Sequence, residues 1–479
     1  MKIKSFILTF LAVLAFTACN NEVINTSYEN EEEEVKEKGY LVLNLTNPPT
    51  TRTSGSATDN GTLKESVIKN VTIIFTEPSG TKVISVFTPI IDGRVTEKIQ
   101  IGLGKHDVYA LVNCPITVEE GEDIERVIKV ATVKSATSGF SDGSFFMVNQ
   151  RNSSTENAGI ETEIKAENSI NNPAIVTIDV DRVACKILDN TKTIGDVSGL
   201  TTASGNIITD VEMVGFAILN VNKEFNLIQT WNSNNSNGIT LNANVLSTPL
   251  YTGGSDDIVA DQYFYNIGEF TTIEKDEDDN ITGIVDKTID EDEDVFGIFN
   301  KDTVYTTENR PTIISYGEDE LSAGRGETTG VIYKVQAKKG ENDMGTFYKY
   351  KNVFYDKITD IAELSEFAGQ TLPLKIPELR ALGIKVYENG VMYYTYFIRD
   401  PNVRHQYNGK NYYGVFRNST YKLAINSISS IGDDVPGGAI VDPEISGEPG
   451  NPPIESDEAY IQVSVVVNKW VLNEIGIDF

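Results

Sequence analysis

Histidine and cysteine are scarce in this chain of 479 residues. There are two histidines, His106 and His405, and three cysteines, Cys19, Cys114 and Cys185. So few soft ligands exclude a zinc-cluster protein and weaken any mechanism that relies on histidine as acid or base. Basic charge is also in short supply: 40 Lys and Arg face 70 Asp and Glu, a net charge of −30. That balance argues against nucleic acid or an anionic membrane surface as the main partner. Met (5) and Trp (2) are rare. Beyond the N-terminus no apolar run is long enough to span a bilayer. There is no phosphate loop and no H-E-x-x-H, and neither histidine has a nucleophile near it in the sequence. No catalytic residue, metal or cofactor is expected, and the chain reads as a non-enzyme.

What is abundant points elsewhere. Gly (38), Tyr (21) and Phe (20) are frequent, and the length suits about two to four domains. Lys2 and Lys4 precede an apolar run from Phe6 to Phe16, which ends in Thr17-Ala18-Cys19. Small residues just before a cysteine fit a bacterial lipoprotein signal over 1–18, with lipid on Cys19. Residues 19–39, with Glu31 to Glu34 in a row, read as a solvated acidic tether.

Alternating apolar residues then recur at strand spacing. Leu41, Leu43 and Leu45 open the series over 40–46, closed by Pro48-Pro49. Residues 50–65 have no apolar pattern and read as a long loop, in which Arg52 is the sole Lys or Arg between Lys38 and Lys64. Val71, Ile73 and Phe75, then Pro78-Ser79-Gly80, then Val83 to Phe87 predict a hairpin. Val176 to Val180 and Val183 to Ile187 alternate in opposite registers, which predicts a bulge near Asp181-Arg182. Glu388-Asn389-Gly390 predicts a second hairpin, between Val386-Tyr387 and Val391 to Ile398. Two short helices are expected at Ile361 to Phe367 and Pro377 to Leu382. Ile461 to Val467 reads as a final domain strand. The last residues, from Val471 onward, form a separate apolar segment with Leu472, Ile475, Ile477 and Phe479. Many short strands between turn signals predict antiparallel sandwiches. We divide them into a first domain over 40–195 and a second over 196–470, with 471–479 as a C-terminal segment.

Other features are weaker. Asp276, Asp278 and Asn280 have the opening spacing of a calcium loop, but Ile281 and Lys287 occupy positions that need Gly and Glu, so an EF-hand is excluded. Asp302-Thr303-Val304 is similar to a short O-glycan acceptor pattern. Tyr251, Tyr263, Tyr393, Tyr394, Tyr412 and Tyr413 could offer aromatic platforms to a glycan, although packing explains tyrosine in β proteins more often. A buried free thiol is expected at Cys114 and at Cys185, and spacing does not decide whether they pair.

In combination these features resemble the Bacteroidales-type (type V) fimbrillins. The resemblance rests on Cys19, the strand Tyr40 to Leu45 with the Arg52 loop, and Val108 to Asn113. It rests further on Glu388 to Tyr394, Val415 to Leu423 leading to Ser427 to Gly432, and Val463 to Trp470. It implies an all-β fold: two transthyretin-like β-sandwich domains in tandem, with long loops and a few short helices. It implies export as an outer-membrane lipoprotein, then cleavage between Arg52 and Thr53 by an arginine-specific protease. Loss of the strand bearing Leu41, Leu43 and Leu45 would open a groove. The donor segment of another copy, with Leu472, Ile475, Ile477 and Phe479, would fill it to build a cell-surface fimbrium. Expected partners are copies of itself, other fimbrial subunits and host or bacterial surface molecules. An anchor or tip subunit, or a glycan-binding surface lipoprotein, is the alternative.

Overall fold

The alternation of Leu41, Leu43 and Leu45 becomes the strand β1 (Lys38–Thr46), in which these three side chains are wholly buried and their neighbours half-exposed. In this computed structural model the described residues are 37–46, 58–129, 131–132, 145–149, 159–190, 205–228, 230–234, 240–247, 263–265, 270–286, 303–311, 313–316, 320–400, 406–407, 410–411, 413–437 and 461–471, with 191, 192, 194, 197, 201, 202 and 299. Lys38–Phe479 forms one compact unit. Among the described residues its regular structure is mostly strand, with a few short helices, as expected from the sequence.

The first sheet runs from Val83–Phe87 through Val71–Thr76, Gly104–Val112, Met147–Asn149 and Ala174–Arg182 to β1, Val95–Thr96 and Ile91–Asp92. Val71–Thr76 and Val83–Phe87 form the expected hairpin, with Ser79 at φ 55 in its turn. The strand Ala174–Arg182 serves two neighbours. Its first part pairs in parallel with β1, and its last three residues pair with Met147–Asn149. Its side chains, with those of β1 and the hairpin, close a first core around Leu43, Phe75, Val108 and Ile178.

The register change after Asp181 is a change of sheet rather than a bulge. Ala184–Asp189 leaves the first sheet and pairs with Thr303–Thr307 on one side and Ser419–Ile428 on the other. Ala184 still packs in the first core, whereas Cys185 and Ile187 face a second one. Successive residues of a strand point to opposite faces, so one strand lies between two cores. The second sheet is completed by the terminal strand Ile461–Val471 and, beside it, β2 (Thr58–Asn60). A further sheet of Asp210–Leu219, Gly330–Lys339 and Val391–Phe397 covers the second core with Phe216, Tyr333 and Met392. Its outer face is buried in turn by Ile332, Tyr393 and Phe397, which explains the nearly unbroken apolar run from Val391 to Phe397. A small fourth core gathers Ile361, Phe367, Leu379 and Val386 around the short helices Ile358–Ala362 and Ile376–Ala381.

Three expectations need correction. The sheets are mixed, since β1, β2 and Ala184–Asp189 each have a parallel partner. Glu388-Asn389-Gly390 does not close a hairpin. Lys385–Tyr387 pairs with Phe347–Tyr350, while Val391–Phe397 pairs with Gly330–Lys339. Asn389 and Gly390 do take the left-handed conformation that the dipeptide favours (φ 51 and 78), but the turn passes the chain between two sheets. Burial of Val386 in one core and Met392 in another outweighs the local hairpin preference. Residues 50–65 are not all loop either: they contain β2 and the start of a 3-10 turn at Lys64–Ser66.

Candidate assembly site

β1 sits in a slot with neighbours on both sides. Leu41, Leu43 and Leu45 lie level with Ala174, Val176 and Ile178 in the parallel strand. On the other side, Lys38 to Leu41 pair with Ile99–Gly102, and Asn44 pairs with Val95. The Tyr40 amide donates to the Asn168 carbonyl (2.8 Å), Leu43 to Thr96 Oγ1 (3.0 Å) and Leu45 to the Arg94 carbonyl (2.9 Å). Gly39 permits the tight entry: a Cβ there would come within 2.5 Å of Ile164. The Thr46 hydroxyl donates to Asp179 (2.5 Å) at the other end. Burying three leucines contributes very roughly 5–9 kcal/mol. The slot is thus apolar along its floor and lined by backbone donors and acceptors along both walls.

At the other end of the chain, the strand reading of Ile461 to Val467 is too short. The terminal strand continues through Trp470 to Val471. Ser419–Ile428 pairs with it as far as Lys469, and β2 pairs with Lys469 to Val471. Val463 and Val465 pack against the second core opposite Ile425 and Leu423. Cys19, Arg52, Thr53, Leu472, Ile475, Ile477 and Phe479 lie outside the described residues.

The side chains that sequence reading considered for other chemistry are placed as follows. His106 is buried; its Nε2 is 2.8 Å from the Gly102 carbonyl, and its ring packs edge-on against Phe75. His405, Tyr251 and Tyr412 lie outside the described residues. Tyr263, Tyr393, Tyr394 and Tyr413 are buried, so they offer no aromatic face to a glycan; the last three belong to hydrophobic cores. Asp276 closes the turn of the hairpin Thr271–Lys275 and Ile281–Asp286, accepting from the amides of Asp278 (3.0 Å) and Asn280 (2.9 Å). Those hydrogen bonds hold its carboxyl below the usual value. No group of three or more His, Cys, Asp or Glu is arranged to hold a metal among the described residues. Cys114 and Cys185 are free and buried in different cores.

Buried charge is the feature that sequence reading missed. Glu65 and Lys186 pair at 2.8 Å, almost wholly out of water. Tyr305 donates its hydroxyl to the same carboxylate (2.7 Å), and Arg182 donates to the Glu65 carbonyl (3.1 Å). Burial alone pushes the Glu65 carboxyl up, but the hydrogen bonds from Lys186, the Thr62 amide and Tyr305 outweigh it, so the group titrates below its ordinary value. Burial lowers the Arg182 guanidinium to about 9, against the opposing pull of Glu65 and Asp181. Arg417 forms a second buried pair with Glu308 and also donates to the carbonyls of Asn226 and Leu227. A third joins Arg380 to Asp434 at 2.8 Å. The one local signal was Thr62-Leu63-Lys64-Glu65, a capping-box spacing: the Thr62 amide donates to Glu65, and the Glu65 amide to the Thr62 hydroxyl.

Residues 385–475 match the family described as major fimbrial subunit protein type IV, fimbrillin, C-terminal. The matched region starts at Lys385–Tyr387 and includes Val391–Phe397, Ser419–Ile428 and the terminal strand. No curated protein matches the chain. Among solved structures it is similar to a fimbrilin (fimA) from Porphyromonas gingivalis W83, at 14% identity and a TM-score of 0.42, covering 91% of this chain and 98% of that one. It is similar also to the tip fimbrial protein Mfa3 from Porphyromonas gingivalis, at 11% identity and a TM-score of 0.37, covering 91% and 100%. A fimbrial assembly protein from Parabacteroides distasonis ATCC 8503 matches at 11% identity and a TM-score of 0.31, covering 82% and 92%. The sequence match is confined to residues 385–475.

Proposed function

We propose that this chain is a polymerising subunit of a cell-surface fimbrium. It reaches the outer membrane as a lipoprotein held through Cys19. An arginine-specific protease cuts between Arg52 and Thr53, and β1 leaves with the lipid. The segment 471–479 of another copy then enters the slot. Residues 40–195 and 196–470 act as two domains, one receiving the donor and the other presenting it.

The observation that carries this reading is the position of β1. It is a buried strand between two neighbours, so its loss exposes both apolar floor and unpaired backbone. It is also the first strand among the described residues, so a single cut behind it frees it without disturbing any other described connection. A replacement must be extended, must bring backbone groups to both walls and must place apolar residues at alternate positions. Ile475, Ile477 and Phe479 have that spacing, as do Leu41, Leu43 and Leu45. A contact of this kind joins unlike surfaces head to tail and grows an open filament.

The deciding experiment is the N-terminal sequence and intact mass of the protein in sheared cell-surface material. A chain beginning at Thr53 without lipid is expected. A lipidated chain beginning at Cys19 would overturn the shaft reading and leave an anchor subunit that retains β1. In parallel, deleting 472–479 is expected to abolish detergent-resistant oligomers after trypsin treatment while the monomer stays folded.

A further inference from the structure

Residues 58–66 are the first described residues after the Arg52 segment, and they are fastened at three points. β2 runs parallel to the end of the terminal strand, with Thr58 beside Lys469, Asp59 beside Trp470 and Asn60 beside Val471. The Asp59 carboxylate lies 3.4 Å from Lys422 Nζ on the strand Ser419–Ile428. Glu65 is buried against Lys186 and Tyr305, and its carbonyl accepts from Arg182. None of these pairings involves β1, whose own pairing partners are Ala174 to Asp179, Val95 and Ile99 to Gly102.

We propose that residues 58–66 are a clasp. It remains bound to the body when β1 is removed, and it fixes the place where the chain leaves Val471 toward its C-terminal end. The first half of this inference rests on the maturation reading above. A new chain end ordinarily frays unless it is tied down. Here the tie includes a buried carboxylate paired with Lys186 and hydrogen-bonded by Tyr305, and its departure would break a charge pair held out of water. The same cut that frees β1 would therefore leave the new N-terminus docked beside the strand that leads into the donor segment. The processed end and the donor root would form one fixed edge of the subunit.

Amide hydrogen exchange of the full chain tests the clasp, with Cys19→Ser to keep it free of lipid. Asp59→Lys sets like charges against each other at a partly exposed site and leaves the buried pairs alone. Exchange at 58–60 and at 469–471 should rise about fivefold, in keeping with the modest worth of such a pair. The swap Asp59→Lys with Lys422→Glu should restore it, and Val71–Thr76 should not change in either variant. Unchanged exchange at 469–471 in Asp59→Lys would overturn the clasp. A second comparison follows exchange at 58–66 before and after residues up to 52 are cut away from the folded chain. Retained protection is expected; loss of protection together with β1 would overturn the inference. The cut is made with trypsin and, separately, at a protease site introduced within 48–53. Resistance of Arg52 to trypsin in the folded chain would count against the maturation reading, while the introduced site still decides the clasp.

Discussion

The Lys186 ammonium sits 2.8 Å from the Glu65 carboxylate, and both side chains are almost completely removed from water. The pair joins the segment that follows the Arg52 region to the strand that divides the two main cores. A pair so placed is costly to break, because removing one partner strands the other charge.

Glu65→Gln is expected to lower unfolding stability by about 3 kcal/mol, the low end for a broken buried pair. The effect should vary with pH. The folded-state pKa of Glu65 is depressed, so its contribution is complete above the ordinary carboxylate range and is lost as pH falls through the lowered value. Asp189 and Asp433, raised by burial, act in the opposite sense. Urea midpoints of wild type and Glu65→Gln between pH 7 and pH 3 isolate the term: the gap between the two should narrow in acid. A constant gap would show that the charge of Glu65 does not contribute.

Leu43→Ala is expected to destabilise the uncut chain by about 3 kcal/mol, through lost burial and the cavity left behind. Denaturant melts of the uncut wild type and variant measure this, and a loss below about 1 kcal/mol would mean that Leu43 does not hold β1 in the slot.

Arg417→Met should cost about 3 to 5 kcal/mol, because it breaks the buried charge pair with Glu308 and removes the donor to the carbonyls of Asn226 and Leu227. Arg417→Met combined with Glu308→Leu should recover a large part of the loss. Thermal melts of the single and double variants form the cycle, and strict additivity of the two changes would refute the coupling.

Cys114 and Cys185 should resist thiol reagents in the native state. Burial pushes the Cys114 thiol up to about 11 and that of Cys185 well above its ordinary value, so the reactive thiolate is scarce at neutral pH. Both should label rapidly in denaturant without prior reduction. A requirement for reductant would mean that the two are paired instead.

The strand character of β1 was legible because it is local: apolar residues at every second position must face one side of a sheet. The same held for the hairpin from Val71 to Phe87, where Pro78-Ser79-Gly80 supplies its own turn. The alternating run before and after Asp181 was also visible, but its meaning was not. A change of phase can arise from a bulge or from a change of sheet, and only the partners at Thr303–Thr307 and Ser419–Ile428 distinguish them. Asn389-Gly390 set the expected backbone conformation and then joined strands of different sheets. The tyrosines were read as core more readily than as surface platforms, and burial decided for core among those described.

From sequence alone came the acidity of the chain, the dearth of ligating residues, the period-2 strands and the lipoprotein-like start, all properties of composition or of neighbours along the chain. The parallel partners of β1 and β2, the sharing of one strand between two cores and the pairing of Glu65 with Lys186 were decided by the tertiary structure. Strand pairing is chosen among distant segments by which faces can be buried together. A charged side chain reveals nothing of its burial until those segments have closed over it.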